Sequence, residues 1–177
     1  MAELDLDATD RALLARLIRD GRATFQDLAD AVRLRRPSVH ERVKKLERAG
    51  IVRGYHAHVD PDKVGAGLVA YVFLKMEPCS GPEGRDCMTR CNDAAKRLER
   101  MPEVVEFHTV AGQQDVMVKV RVADVRELER VVMREISGTP GVAGVETRVV
   151  LRTHFERPVQ VREAPAVVAP RRRGRSA

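Results

Sequence analysis

Over the first fifty positions apolar residues fall at helical spacing, and further on they alternate as strands do. Leu13, Leu14, Leu17 and Ile18 mark one face of a helix that Asp7 or Thr9 can cap and Gly21 can stop. Thr24-Phe25-Gln26-Asp27 is a capping box, so a short second helix is predicted there, with Phe25, Leu28, Ala29 and Val32 apolar. A third helix is predicted from about residue 36 to 49. Pro37 is tolerated in its first turn, and Gly50 is its C′ residue. Val39, Val43 and Leu46 fall at i, i+4 and i+7 and form its buried stripe. Residues 51–59 read as a strand, and Asp60-Pro61-Asp62 opens a linker.

From residue 67 the rhythm changes. Residues 67–76 predict a strand, with Val69, Tyr71 and Phe73 alternating with Leu68, Ala70, Val72 and Leu74. Residues 86–101 predict a helix whose inner face carries Cys87, Met88, Cys91, Ala94, Ala95, Leu98 and Met101. Two strands follow, 104–110 and 115–122, joined by a turn at 111–114. Residues 124–136 predict a helix with Val125, Leu128, Val132 and Ile136 inward, and 142–151 a last strand after Pro140-Gly141. The order β-α-β-β-α-β is the split βαβ, ferredoxin-like plan, so the fold class is α+β. Two helices cover one face of a four-stranded antiparallel sheet. The other face keeps Val and Phe, which predicts a partner sheet and at least a dimer.

Charge adds a function to this outline. Between Arg33 and Arg53 the chain carries eight Lys/Arg against two acids, as large an excess as the whole chain's net +6. A basic, amphipathic helix after a short turn can sit in a DNA groove, its charges on phosphates and its apolar stripe on the domain. Residues 157–177 form a second basic region, with six basic side chains and one acid. Its end, Arg171, Arg172, Arg173 and Arg175, reads as a disordered tail, either solvated or loosely touching phosphates. No apolar run approaches the ~20 residues of a membrane span, so no membrane partner is expected. Three cysteines and no signal-peptide pattern at the N-terminus point to a reducing cytoplasm. Cys79, Cys87 and Cys91 could ligate a metal or form a redox switch, but a helical Cys pair on an apolar stripe favours core packing. Neither metal nor cofactor is expected.

The run Glu41-Arg42-Val43-Lys44-Lys45-Leu46-Glu47-Arg48-Ala49-Gly50-Ile51-Val52-Arg53-Gly54-Tyr55, with Leu28-Ala29 before it, resembles the Lrp/AsnC family of transcriptional regulators. The likeness continues through Asp60-Pro61, Val64-Gly65, Pro102-Glu103-Val104, Val110-Ala111-Gly112-Gln113-Gln114-Asp115 and Pro140-Gly141-Val142. It implies a winged helix-turn-helix over 1–54, a strand-like linker over 55–66 and an effector-binding, dimerising βαββαβ domain over 67–157, with the tail from 158 beyond it. It further implies homodimers that can assemble into octamers around a small effector such as an amino acid. One departure stands out. The family's Gly and Leu-Ser at the turn before the third helix are here Arg33-Leu34-Arg35, which removes a cheap positive φ and a helix cap.

On the third helix, Ser38, His40, Glu41 and Arg42 are placed to reach base edges, and Arg36, Lys44, Lys45 and Arg53 to hold phosphates, with Arg35 beside them in the turn. The plain alternative for any one of them is a solvated charge, or Glu41 pairing Lys45. In the 110–115 turn, Gly112 allows close backbone approach, exposed amides can grip a carboxylate, and Asp115 or a glutamine can meet an ammonium group. The resemblance adds His108, Thr109, Gly112, Gln113 and Asp115 as effector residues; a simple hairpin turn is the alternative. An enzyme of the same architecture, a tetrapyrrole (siroheme) decarboxylase, is the rival class, because His40, His56, His58, His108 and His154 leave room for porphyrin chemistry. No nucleophile–base pair or ligand cluster supports it.

Overall fold

Reciprocal caps start the first two helices of the computed structural model, which describes residues 5–78 and 85–161. The Asp7 carboxylate accepts from Asp10 N–H at 2.7 Å, and Asp10 accepts from Asp7 N–H at 3.4 Å, so α1 runs Ala8–Arg19. Thr24 and Asp27 do the same for α2, Phe25–Val32. Each box pairs N–H groups that the first helical turn leaves unpaired. Helix α3, Arg36–Arg48, has Pro37 in its first turn and no side-chain cap on Arg35, as the missing serine implies. Leu13, Leu28, Ala29, Val39 and Val43 close the core of this three-helix unit, with Leu14 and Leu46 also buried.

The helices α2 and α3 end in the same hydrogen-bonded turn. After α3, Gly50 N–H donates to Glu47 C=O (2.9 Å) and Ile51 N–H to Leu46 C=O (3.0 Å). After α2, Arg33 N–H donates to Asp30 C=O (3.4 Å) and Leu34 N–H to Ala29 C=O (3.0 Å). This turn needs a left-handed residue. Gly50 takes φ +70° and Arg33 takes φ +55°.

The chain divides into two compact units, one built around the residues up to His58, the other Val59–His154. The second unit holds β1 Leu68–Met76, α4 Arg85–Leu98, β2 Val104–Thr109, β3 Val116–Val122, α5 Val125–Arg130 and β4 Val142–Val149. The sheet order is β2-β3-β1-β4, every neighbour antiparallel, with Val72 opposite Val118 and Thr147. Ala70, Val72, Leu74 and Met76 of β1 and the four valines 116, 118, 120 and 122 of β3 point to the helix side. There Ala94, Leu98, Leu128, Val131, Val132 and Ile136 cover them. Each large apolar side chain buried here contributes about 1.5–3 kcal/mol. On the opposite face Tyr71, Phe73 and Met117 are half-buried, and Lys119 is bonded to Glu106 at 3.2 Å.

Four expectations change. Residues 51–59 form no strand, for none of the four strands in the sheet pairs with them. An extended segment becomes a strand only where a ladder partner exists. Met88 and Val125 stay outside the core, 69% and 65% exposed, because each lies in the first turns of its helix, beyond the edge of the packed stripe. After α5 the chain continues into a π-helical segment, Val131–Ile136, with Ser137 N–H donating to Val132 C=O (2.9 Å). Val131 is buried beside Val132, at i+3 and i+4 from Leu128, so the inward face is wider than the four expected positions. Cys87 is disulfide-bonded, while Cys91 is free and packs on the core. The helical spacing of that pair is silent about a partner elsewhere in the chain, so the core-packing expectation fails for Cys87. Cys79 and the arginines of the tail lie outside the described residues.

Leu98 is fully buried between α4 and the sheet. Leu98→Ala is expected to lower the stability of the second unit by roughly 2–5 kcal/mol in denaturant unfolding. A loss below half a kcal/mol, on the order of a surface substitution, would contradict this packing.

Candidate functional site

With Val39, Val43 and Leu46 turned inward, the opposite side of α3 is left to solvent. Ser38, Glu41, Lys44, Lys45 and Arg48 are exposed on it, and Arg33, Arg35 and Arg36 are exposed at its entry. Among the described residues, Arg35, Arg36, Lys45 and Arg53 are exposed with no side-chain hydrogen bond or ion pair. Lys44 is held by Glu47 at 3.0 Å, and Arg48 Nε donates to Lys44 C=O at 3.3 Å. His40 stands edge-on to Phe25, ring centroids 4.9 Å apart, with Glu41 3.7 Å from its Nδ1. Glu41 and Lys45, weighed as an alternative pair, do not pair among the described residues.

Arg42 departs from its predicted role. Its guanidinium lies 2.7 Å from both the Asp7 and the Asp10 carboxylates of the first helix. Four residues before Leu46, it lies within about 40° of that buried position on the helical wheel, so it faces α1. Asp10 is 5% exposed and needs this cation. The Asp10 N–H, with Arg42 beside it, holds the Asp7 carboxyl below the usual carboxylate range. Asp10 and Asp7 together hold the Arg42 guanidinium above its ordinary value. Arg42 is therefore a clamp between α1 and α3, not a reader of bases. Sequence reasoning missed Asp7 and Asp10 as its partners because they lie 35 and 32 residues away along the chain.

Tyr55 was also missed. Its hydroxyl donates to Glu47 at 2.9 Å, and its ring approaches Gly21. Burial, then the bonded Glu47 carboxylate, pushes the phenol up to about 12. The start of the segment expected as a strand-like linker is thus tied to the end of α3 by a side chain.

In the second unit a cavity of about 530 Å³ opens on the helix side of the sheet end. Met76, Cys87, Met88, Cys91, Thr109 and Asp115 are among its walls, and four of these six carry sulfur. Its rim carries both signs of charge. Lys75 Nζ lies 3.1 Å from Asp115, and Arg90 lies 3.7 Å from Glu77. Asp115 also accepts Met76 N–H at 2.9 Å, and that bond, more than Lys75, keeps its carboxyl below the usual range. Burial pushes the Cys91 thiol up.

Of the five predicted effector residues, Thr109 and Asp115 line this cavity, whereas His108, Gly112 and Gln113 do not. His108 lies on the other sheet face, its Nε2 3.2 Å from Glu106, because alternate residues of β2 point to opposite sides. Burial of Glu106 works upward, but His108 and Lys119 prevail and hold its carboxyl low. Gly112 takes φ +148°, a backbone conformation that side chains rarely adopt. Lys75, Met76, Met88 and Arg90 line the cavity without having been singled out for it; their separation along the chain hid their convergence.

Comparison with known proteins supports both halves. Residues 6–47 match the AsnC-type helix-turn-helix domain, and residues 85–160 match the Lrp/AsnC ligand binding domain. The transcriptional regulator LrpA of Mycobacterium tuberculosis is 38% identical over 152 residues, 85% of this chain and 93% of that protein. A feast or famine regulatory protein of M. tuberculosis, solved with L-methionine, superposes with TM-score 0.78 at 35% identity, over 89% of this chain and 100% of that one. A Neisseria meningitidis transcriptional regulator, also in an L-methionine complex, gives TM-score 0.77 at 26% identity, over 91% and 97%.

The clamp predicts an acid dependence. A carboxyl held low in the folded state, as in Asp7, adds stability above its unfolded value, and that stability is lost as pH falls through the folded one. Arg42→Ala leaves Asp10 buried without its cation, and a loss of roughly 1–3 kcal/mol is expected at neutral pH. Below about pH 4 the difference from the parent should shrink. Chemical unfolding at several pH values measures this. A pH-independent difference would contradict the assignment.

Proposed function

The chain belongs to the Lrp/AsnC family of DNA-binding transcriptional regulators, and from that membership we propose how its surfaces divide the work. The family is one of regulators and not of enzymes, so the decarboxylase alternative falls away. DNA meets the exposed side of α3. Arg35, Arg36, Lys45 and Arg53 neutralise phosphates, and Ser38, His40 and Glu41 face base edges from the first turns. Lys44 joins the phosphate group only when Glu47 releases it. The observation that carries this reading is the row of exposed, unpartnered cations at the start and outer face of α3. Two protomers pair through the open sheet face bearing Tyr71, Phe73 and Met117, which a lone chain leaves half-covered. Pairing presents two copies of α3 to the duplex, and dimers associate further around effector. The protein works in the cytoplasm, where its operators are.

A small amino acid tunes this activity from the cavity. The rim supplies a carboxylate for an α-ammonium group, Asp115, and cations for an α-carboxylate, Lys75 and Arg90. The wall of Met76, Met88 and Cys91 suits an unbranched apolar or thioether side chain. L-Methionine, bound by two solved relatives, fits that description and is the first ligand to test.

Two measurements check these assignments. Replacing Arg36 and Lys45 together by Ala should weaken duplex binding at physiological salt by at least tenfold, with each lost phosphate contact making the log–log salt dependence shallower by about 0.9. Unaltered binding in a gel shift would remove α3 from the interface. Calorimetric titration with L-methionine should show binding that Asp115→Asn weakens by about tenfold, since Asn still accepts Met76 N–H but offers no charge. Binding indifferent to that change would move the effector elsewhere.

A further inference from the structure

We propose that Arg33 is a DNA-backbone anchor, kept in a stereochemically unfavourable turn because its guanidinium reaches a phosphate that glycine could not hold. The inference rests on the DNA-binding reading of α3. It begins from the two matching helix ends. Both use the same pair of backbone bonds, and both need one residue in the left-handed region. After α3 that residue is Gly50, at φ +70° with nothing near its missing Cβ. After α2 it is Arg33, at φ +55°, the one non-glycine residue with positive φ among those described. A side chain there crowds its own backbone, and glycine would relieve it.

The backbone bonds of the turn account for the conformation but not for an arginine in it, since no side-chain contact among the described residues rewards one. Arg33 is exposed and has no hydrogen bond or ion pair among the described residues. The Asp30 carboxylate near by accepts from Gln26 Nε2 at 2.9 Å. Nor does Arg33 resemble asparagine, whose short amide can bond its own turn. A strained residue that gains no internal contact points to a partner outside the chain. The chemistry of that partner follows from the surroundings. Arg33, Arg35 and Arg36 place three exposed, unpaired guanidinium groups within four residues, in the turn that leads into the outward face of α3. A permanently charged planar fork suits phosphate oxygens, and repulsion between neighbouring arginines favours an anion among them.

The test uses the full-length chain and its Arg33→Gly, Arg33→Lys and Arg33→Asn variants. Each is melted and titrated with a short duplex of arbitrary sequence over a range of NaCl concentrations. Arg33→Gly should melt a few degrees higher than the parent. It should also bind DNA roughly three- to tenfold more weakly near physiological salt, its log–log salt dependence shallower by about 0.9 for each protomer in contact. Arg33→Lys should keep the parent's salt dependence and its lower melting point. Arg33→Asn, which tolerates the left-handed region, should gain stability and lose affinity as Arg33→Gly does. A glycine variant with the parent's salt dependence overturns the anchor, and an unchanged melting point overturns the stereochemical penalty. A parent chain without salt-sensitive DNA affinity would sink the reading of α3 as well, a result distinct from both.

Discussion

Arg42, caught between Asp7 and Asp10 at 2.7 Å from each, sets the angular position of α3 on the first helix. The stripe of Val39, Val43 and Leu46 anchors α3 along its length, but apolar packing tolerates some rotation about the helix axis. A two-carboxylate clamp on one guanidinium is directional. With Arg42 turned inward, Arg48, about 120° away on the helical wheel, faces solvent, and Lys45 is exposed between them. The solvent face of α3 is thus set by the one cation of the helix that the first helix draws inward.

The eight cations between Arg33 and Arg53 are not equivalent in consequence. Arg42 is neutralised by α1, Lys44 is shared with Glu47, and Arg48 is bonded to a backbone carbonyl. What remains available is a cluster at the start of α3, plus Lys45 and Arg53. Because electrostatic binding to a duplex scales with the phosphates neutralised, available charge and not total charge determines affinity. Tyr55 takes part in this sorting: Lys44 first and the Tyr55 hydroxyl second hold the Glu47 carboxyl below its usual range. The turn ahead of α3 shows the opposite preference, for there an arginine stands in a backbone conformation suited to glycine.

In the second unit, Asp115 joins the start of β3 to the end of β1 through Met76 N–H and Lys75. The same carboxylate forms part of the cavity rim. A ligand that competed for it would disturb the sheet end and the helix α4 that walls the cavity. One carboxylate thereby links the cavity rim to the junction of β1 and β3.

Local rules were enough to recover most elements from residue order alone. The caps at Asp7 and Thr24, the stripe of α3, Gly50 after it and the valine alternation of β3 each depend on neighbours a few residues apart. The split βαβ order follows from the same short-range signals. What tertiary structure alone decided involves partners far apart in the chain. Arg42 met acids 32 and 35 residues away, residues 51–59 found no strand to pair with, and His108 and Thr109 went to opposite faces of one sheet. Periodicity says which side of an element is apolar. It does not say which charged residue at the edge of that side lies close enough to another element to be drawn in, because that depends on how the elements cross.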